Sequence, residues 1–113
     1  MFPFIIKNSK IPKIMSVFIN VYAITLWPFI FIRDEGNEKT IRHEKIHIRQ
    51  YNELLVIGFL ILYLFDWIVG LIKYRDSSIA YLNIRFEQEA YENQDDLHYL
   101  DNRKMFAWLK YRI

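Results

Sequence analysis

The sequence predicts a single α+β domain in which a short N-terminal sheet precedes a series of helices, and three patterns carry that expectation. Residues 23–33 are β-branched and aromatic and are split by Pro28. The loop after them ends in a helix cap at Asn37 and opens onto apolar residues at helical spacing. A second helical pattern returns from Ile79 onward. With 113 residues the chain has room for one core and one site.

Taken in order, Lys7, Lys10 and Lys13 precede an apolar stretch from Ile14 to Ile32. This has the charged and apolar regions of a signal sequence, but no small-residue cleavage site follows. Asn20 and Pro28 interrupt the stretch, and its composition favours one or two strands over 23–33, with the proline at an edge or bulge. A signal anchor over residues 14–32 stays open as an alternative.

Residues 33–37, Arg-Asp-Glu-Gly-Asn, form the clearest loop. Asn37 suits an N-cap, and Glu38 places a negative charge in the first turn, where the helix dipole favours it. Ile41, Ile46, Ile48, Tyr51, Leu54 and Leu55 then keep helical spacing. Residues 54–65 are twelve uncharged, mostly apolar residues, and with 67–72 they reach about the length of a membrane span. The soluble reading is a buried helix pair broken near Gly58 or Asp66. Asp76, Ser77 or Ser78 suits the cap of the next helix. Ile79, Leu82, Phe86, Ala90, Asn93 and Leu97 predict one long helix over about 79–99, and the basic, aromatic segment 103–113 predicts a short amphipathic helix.

Composition narrows the chemistry. The formal charge of +2 is too small, and its basic residues too scattered, to imply a nucleic-acid partner. Without cysteine there is no thiolate ligand or nucleophile, so a metal site must use histidine and carboxylate.

Residues 43–47 read His-Glu-Lys-Ile-His. Two histidines four apart project from one helix face and can share a Zn²⁺ ion. Glu44 lies about 100° round the helix from His43, where it can reach a water without binding the metal, as a general base. A catalytic zinc normally takes three protein ligands and keeps one position open. The third is sought downstream, where residues 86–91 read Phe-Glu-Gln-Glu-Ala-Tyr.

Here the sequence resembles the gluzincin group of zinc metallopeptidases, whose histidine-bearing helix is joined by a glutamate from a later helix, commonly as Glu-x-x-Ala-Asp. Glu87-Gln88-Glu89-Ala90 matches, with Tyr91 where many members carry aspartate. The resemblance spans residues 21–95 and implies a zincin-like fold, zinc held by His43, His47 and Glu87, Glu44 as general base, and a peptide or protein substrate paired along the 23–33 edge strand. It also implies that another carboxylate, Glu89, Glu92 or Asp95, takes over the support of a zinc-bound histidine. Glu89 is the rival third ligand, pointing about 200° from Glu87. Tyr51, Tyr91 and Tyr99 are unranked candidates for stabilising the oxyanion. His98, Arg42 and Arg49 read as surface groups.

A simple span by residues 54–72 would put His47 and Glu87 on opposite sides of a bilayer, so a shared site requires the segment to fold back, lie at an interface or pack in the core. The expectation is an intracellular protein, with membrane contact through residues 54–72 and 103–113 left open. The competing expectation is a non-catalytic, membrane-associated or scaffolding protein that keeps the zincin-like fold.

Overall fold

A computed structural model describes residues 3–15 and 22–113 of the chain. Among the described residues the protein is α+β, with a three-stranded sheet and six α-helices. The middle of the stretch read as a signal anchor, including Asn20, lies outside the described residues.

The sheet has β1 (Phe4–Ile6), β2 (Ala23–Leu26) and β3 (Phe29–Ile32) in the order β1-β3-β2. β2 and β3 pair antiparallel about a turn at Trp27 and Pro28, so the proline sits where no ladder hydrogen bond is required of it. β1 pairs parallel with β3 and was not anticipated, because a three-residue strand is defined by its distant partner rather than by its own pattern. Between β1 and β2, α1 (Ile11–Met15) forms at the lysine-flanked start of the signal-like stretch, where no helix was expected. Ile30 and Ile32 of β3 are fully buried and pack with Ile48.

α2 (Glu38–Glu53) starts at the expected cap: the Asn37 side chain accepts a hydrogen bond from the Thr40 amide at 2.8 Å. The chain then breaks at Leu55 and Val56, both with positive φ (55° and 64°), and continues as α3 (Ile57–Tyr74). The expected break falls two residues before Gly58 and not at Asp66, and the helix after it is mostly exposed where burial was expected. Asp66 stays inside the helix because it is buried and neutralised by Arg85, whose guanidinium donates two hydrogen bonds of 2.8 and 2.9 Å to it.

Arg75 ends α3 in the left-handed region, and Asp76 caps α4 (Ser77–Leu82) through the Ile79 amide. α4 folds back along α3, with a close approach at Gly70, where an added Cβ would meet the Ala80 Cβ at 2.9 Å. The single helix expected over 79–99 is divided: α5 (Arg85–Asn93) follows after a break at Asn83 and Ile84, and α6 (Tyr99–Asn102) is separate. The break lets α5 turn back towards α2. The tail is a 3-10 turn over Ala107–Lys110 rather than an amphipathic helix, and Trp108 is buried edge-on against Phe86 at 4.8 Å. Tyr51, Phe59, Ile84, Phe86 and Trp108 form the second core, under the site.

Candidate metal centre

α2 and α5 meet with their polar residues inward. His43, Glu44, His47 and Gln50 on α2 and Glu87 and Glu89 on α5 are all buried. Unpaired, such charges would cost several kcal/mol each, so their partners define the site.

His43, Glu44 and His47 form a group that can bind a metal ion, with one ligand atom from each lying within 4.8 Å of the others. Glu87 enters the same space from α5. Its Oε1 is 3.0 Å from His43 Nε2 and 3.1 Å from His47 Nε2, while its Oε2 accepts a 2.7 Å hydrogen bond from the Tyr63 hydroxyl on α3. The fold-back of α4 and α5 thus puts His47 and Glu87 on one side of α3.

The other ring nitrogens are held from behind. Gln50 donates through Nε2 to Phe86 O (3.1 Å) and Glu89 Oε1 (2.9 Å), so its amide oxygen must face His47 Nδ1, 2.7 Å away. His47 therefore carries a proton on Nδ1 and aims Nε2 into the site. His43 Nδ1 is likewise 2.7 Å from Gln94 Oε1, and the Gln94 carbonyl accepts from Arg42 at 2.6 Å.

Both histidines are thus supported by amides, where the sequence suggested a carboxylate. Glu92 and Asp95 are exposed, and Asp95 lies opposite Lys39. Glu89 points away from the metal group and supports His47 at one remove. It is fixed by Gln50, by the Tyr99 hydroxyl and by Arg103, which also binds Glu53 of α2. Gln50 and Gln94 were missed; the only available signal was a glutamine one turn beyond His47, on the face that carries the histidines.

Glu44 has a different environment. Its Oε1 accepts a hydrogen bond from Thr25 Oγ1 on β2 at 2.9 Å, while Oε2 lies 3.8 Å from His43 Nε2. Burial raises its pKa, and the Glu87 carboxylate adds to this, against the lowering influence of the two histidines and Thr25. For His47 burial acts downward but is outweighed by the carboxylates of Glu87 and Glu44 and by hydrogen bonds to Glu87 and Gln50, so its pKa is pushed up to about 9. Glu87 moves the opposite way: burial would raise it, but the two histidines hold it well below the usual carboxylate range.

A cleft of about 380 Å³ opens beside His43 and Glu44, bordered by Tyr22, Ala23, Tyr81, Tyr91 and Gln94. Of the three tyrosines considered for the oxyanion, only Tyr91 borders this cleft, its ring edge-on to His43 at 4.4 Å. Tyr51 donates to Thr25 O in the core, and Tyr99 to Glu89. His98 and Arg49 are exposed. The chain matches no protein-family model, no curated protein and no solved structure.

Proposed function

We propose that this protein is a zinc-dependent peptidase in which His43, His47 and Glu87 hold the metal and Glu44 moves the proton. The observation that carries this reading is the convergence of two Nε2 atoms on one Glu87 oxygen, at 3.0 and 3.1 Å, with both Nδ1 atoms committed to amide oxygens. A cation balances two Nε2 atoms gathered on one carboxylate, whether it is a proton on His47 or a metal ion, and the donor set of two nitrogens and one oxygen suits zinc with a fourth position open. Ligands about 2.1 Å from a tetrahedral centre stand about 3.4 Å apart, so only a slight spreading of the side chains is needed.

The contacts of the two glutamates favour Glu87 as the third ligand and Glu44 as the base. Glu87 lies against both histidines, whereas the Glu44 oxygen nearest His43 is 3.8 Å away and the other is engaged by Thr25. Glu44, with its raised pKa and one oxygen turned to the site, is suited to take a proton from an attacking water and deliver it to the leaving nitrogen. When bound, the zinc supplies a Lewis acid that brings the pKa of water towards 7 and polarises the scissile carbonyl. Thr25 ties this site to β2, an edge strand among the described residues, and this favours an extended peptide or protein segment paired along the part of that edge beyond the Thr25 carbonyl that Tyr51 holds. These features favour a zincin-like reading of the domain.

The test is metal content together with hydrolysis of a mixed peptide library. About one zinc per chain is expected, lost in His47→Ala and weakened in Glu87→Gln. Glu44→Gln should keep the metal while cleavage falls about a hundred- to ten-thousandfold. Bound zinc without cleavage of any peptide would leave a non-catalytic, metal-holding protein; a folded chain that takes up no zinc would end the metal reading.

A further inference from the structure

α3 has two apolar faces, of which only one is covered. Its inward face packs Phe59, Leu62 and Trp67 on the core and carries buried Asp66 and the hydroxyl of Tyr63, bound to Glu87. Its outward face is a continuous apolar stripe, including Ile57, Ile61, Leu64, Phe65, Ile68 and Ile72, which are 45 to 74% exposed and follow the helical repeat. The helix is 18 residues with a mean hydropathy of 1.7, and only 17% of it is buried. A stripe of this extent on a water-facing surface marks a docking face.

The charges beside it identify the occupant. Residues 54–75 and 103–113 present Lys73, Arg75, Lys104, Lys110 and Arg112 to solvent against the single acid Asp66, while Arg103 is buried against Glu53 and Glu89. Asp66 is sequestered by Arg85. The tail packs on α5 and reaches both ends of α3: the Phe106 amide donates to Glu53 just before the helix, and Lys73 donates to the Ile113 carbonyl near its end. Exposed Met105 and Leu109 in this tail alternate with Lys104 and Lys110. An apolar stripe with a basic surround matches an anionic lipid surface, whereas it would set like charges against each other in a symmetric pair of chains.

We infer that α3 docks this protein on an anionic bilayer, lying in the plane of one leaflet with the 103–113 tail at the headgroups. An upright span would carry α2, α4 and their polar residues, packed on the inner face, into hydrocarbon. In the plane, the metal group stays on the water side of α3.

Flotation of the full-length chain with phosphatidylcholine vesicles, and with vesicles of roughly three parts phosphatidylcholine to one of phosphatidylglycerol, tests this. Binding to the anionic vesicles is expected. The pair Ile61→Glu with Phe65→Glu should weaken it about a hundredfold or more. The pair Lys73→Ala with Arg75→Ala should weaken it about thirtyfold on anionic vesicles and leave neutral ones unaffected. Both pairs lie on the surface, so an unchanged circular dichroism spectrum and melting curve exclude misfolding. Failure to float with either vesicle overturns the inference, as does a stable dimer in solution that the Ile61 and Phe65 changes dissociate, which would make a second copy the occupant.

Discussion

At the scale of single residues, the least conspicuous member of the site, Gln50, has the most consequence. Its two amide hydrogens are spent on Phe86 O and Glu89, which leaves its oxygen no orientation except towards His47 Nδ1. A leucine at this position would fill similar space but leave His47 free to adopt the other tautomer. It would also leave the Phe86 carbonyl and a Glu89 oxygen without this donor. Loss of such support typically costs ten- to a hundredfold in metal affinity. Gln50→Leu is therefore expected to weaken zinc binding about that much in competition with a chelator, while His43, Glu87 and the cleft are undisturbed. Unchanged affinity would mean that Gln50 only fills the core. The pairing of His43 with His47 was legible in the sequence because residue type and a four-residue spacing carry it, whereas Glu87 was expected only through the resemblance. The amide supports were not, since Gln50 and Gln94 acquire their roles from partners 36 to 51 positions away.

At the scale of elements, what was legible depended on whether the cause was local. The start of α2 was readable because Asn37 caps it through a residue three positions on, and the β2 and β3 segments because their own composition favours strand. The continuity of α3 through Asp66 was not, because the residue that neutralises the aspartate, Arg85, lies 19 positions later. The division of α4 from α5 follows from packing: α5 must turn to present Glu87 to one histidine pair and Glu89 to Arg103. Arg103 fastens this arrangement, with four hydrogen bonds shared between Glu53 of α2 and Glu89 of α5, and its side chain is only 2% exposed. Removing one partner of a buried ionic cluster strands the others, at a cost of about 3–5 kcal/mol. Arg103→Ala is expected to lower unfolding free energy by that amount in a urea titration. Arg103→Lys should recover little of it, since one ammonium cannot span two carboxylates as the guanidinium fork does. Full recovery by lysine would show that charge alone, without the fork, holds α2 to α5.

At the scale of the whole molecule, the site is where α2, β2, α3 and α5 are tied together, so whatever cation occupies it bears on the stability of the fold. Without metal, the proton on His47 takes that place. Its pKa in the folded chain, about 9, stands above the ordinary 6.5, because Glu87 and Glu44 outweigh the opposing effect of burial. A value raised on folding stabilises the fold fully below about pH 6.5, and this contribution is lost as pH rises through about 9. Zinc requires the same Nε2 deprotonated, so its apparent affinity should rise about tenfold per pH unit across that window and level off above it. The two dependences run in opposite directions, and the difference between them can be measured by thermal unfolding. The melting temperature of the chelator-treated chain should fall between about pH 6.5 and 9, while the stabilisation added by saturating zinc grows over the same interval. If the gap between zinc-loaded and chelated protein were the same at both ends, proton and metal would not be competing for His47. The metal, if bound at all, would then sit elsewhere than between His43, His47 and Glu87.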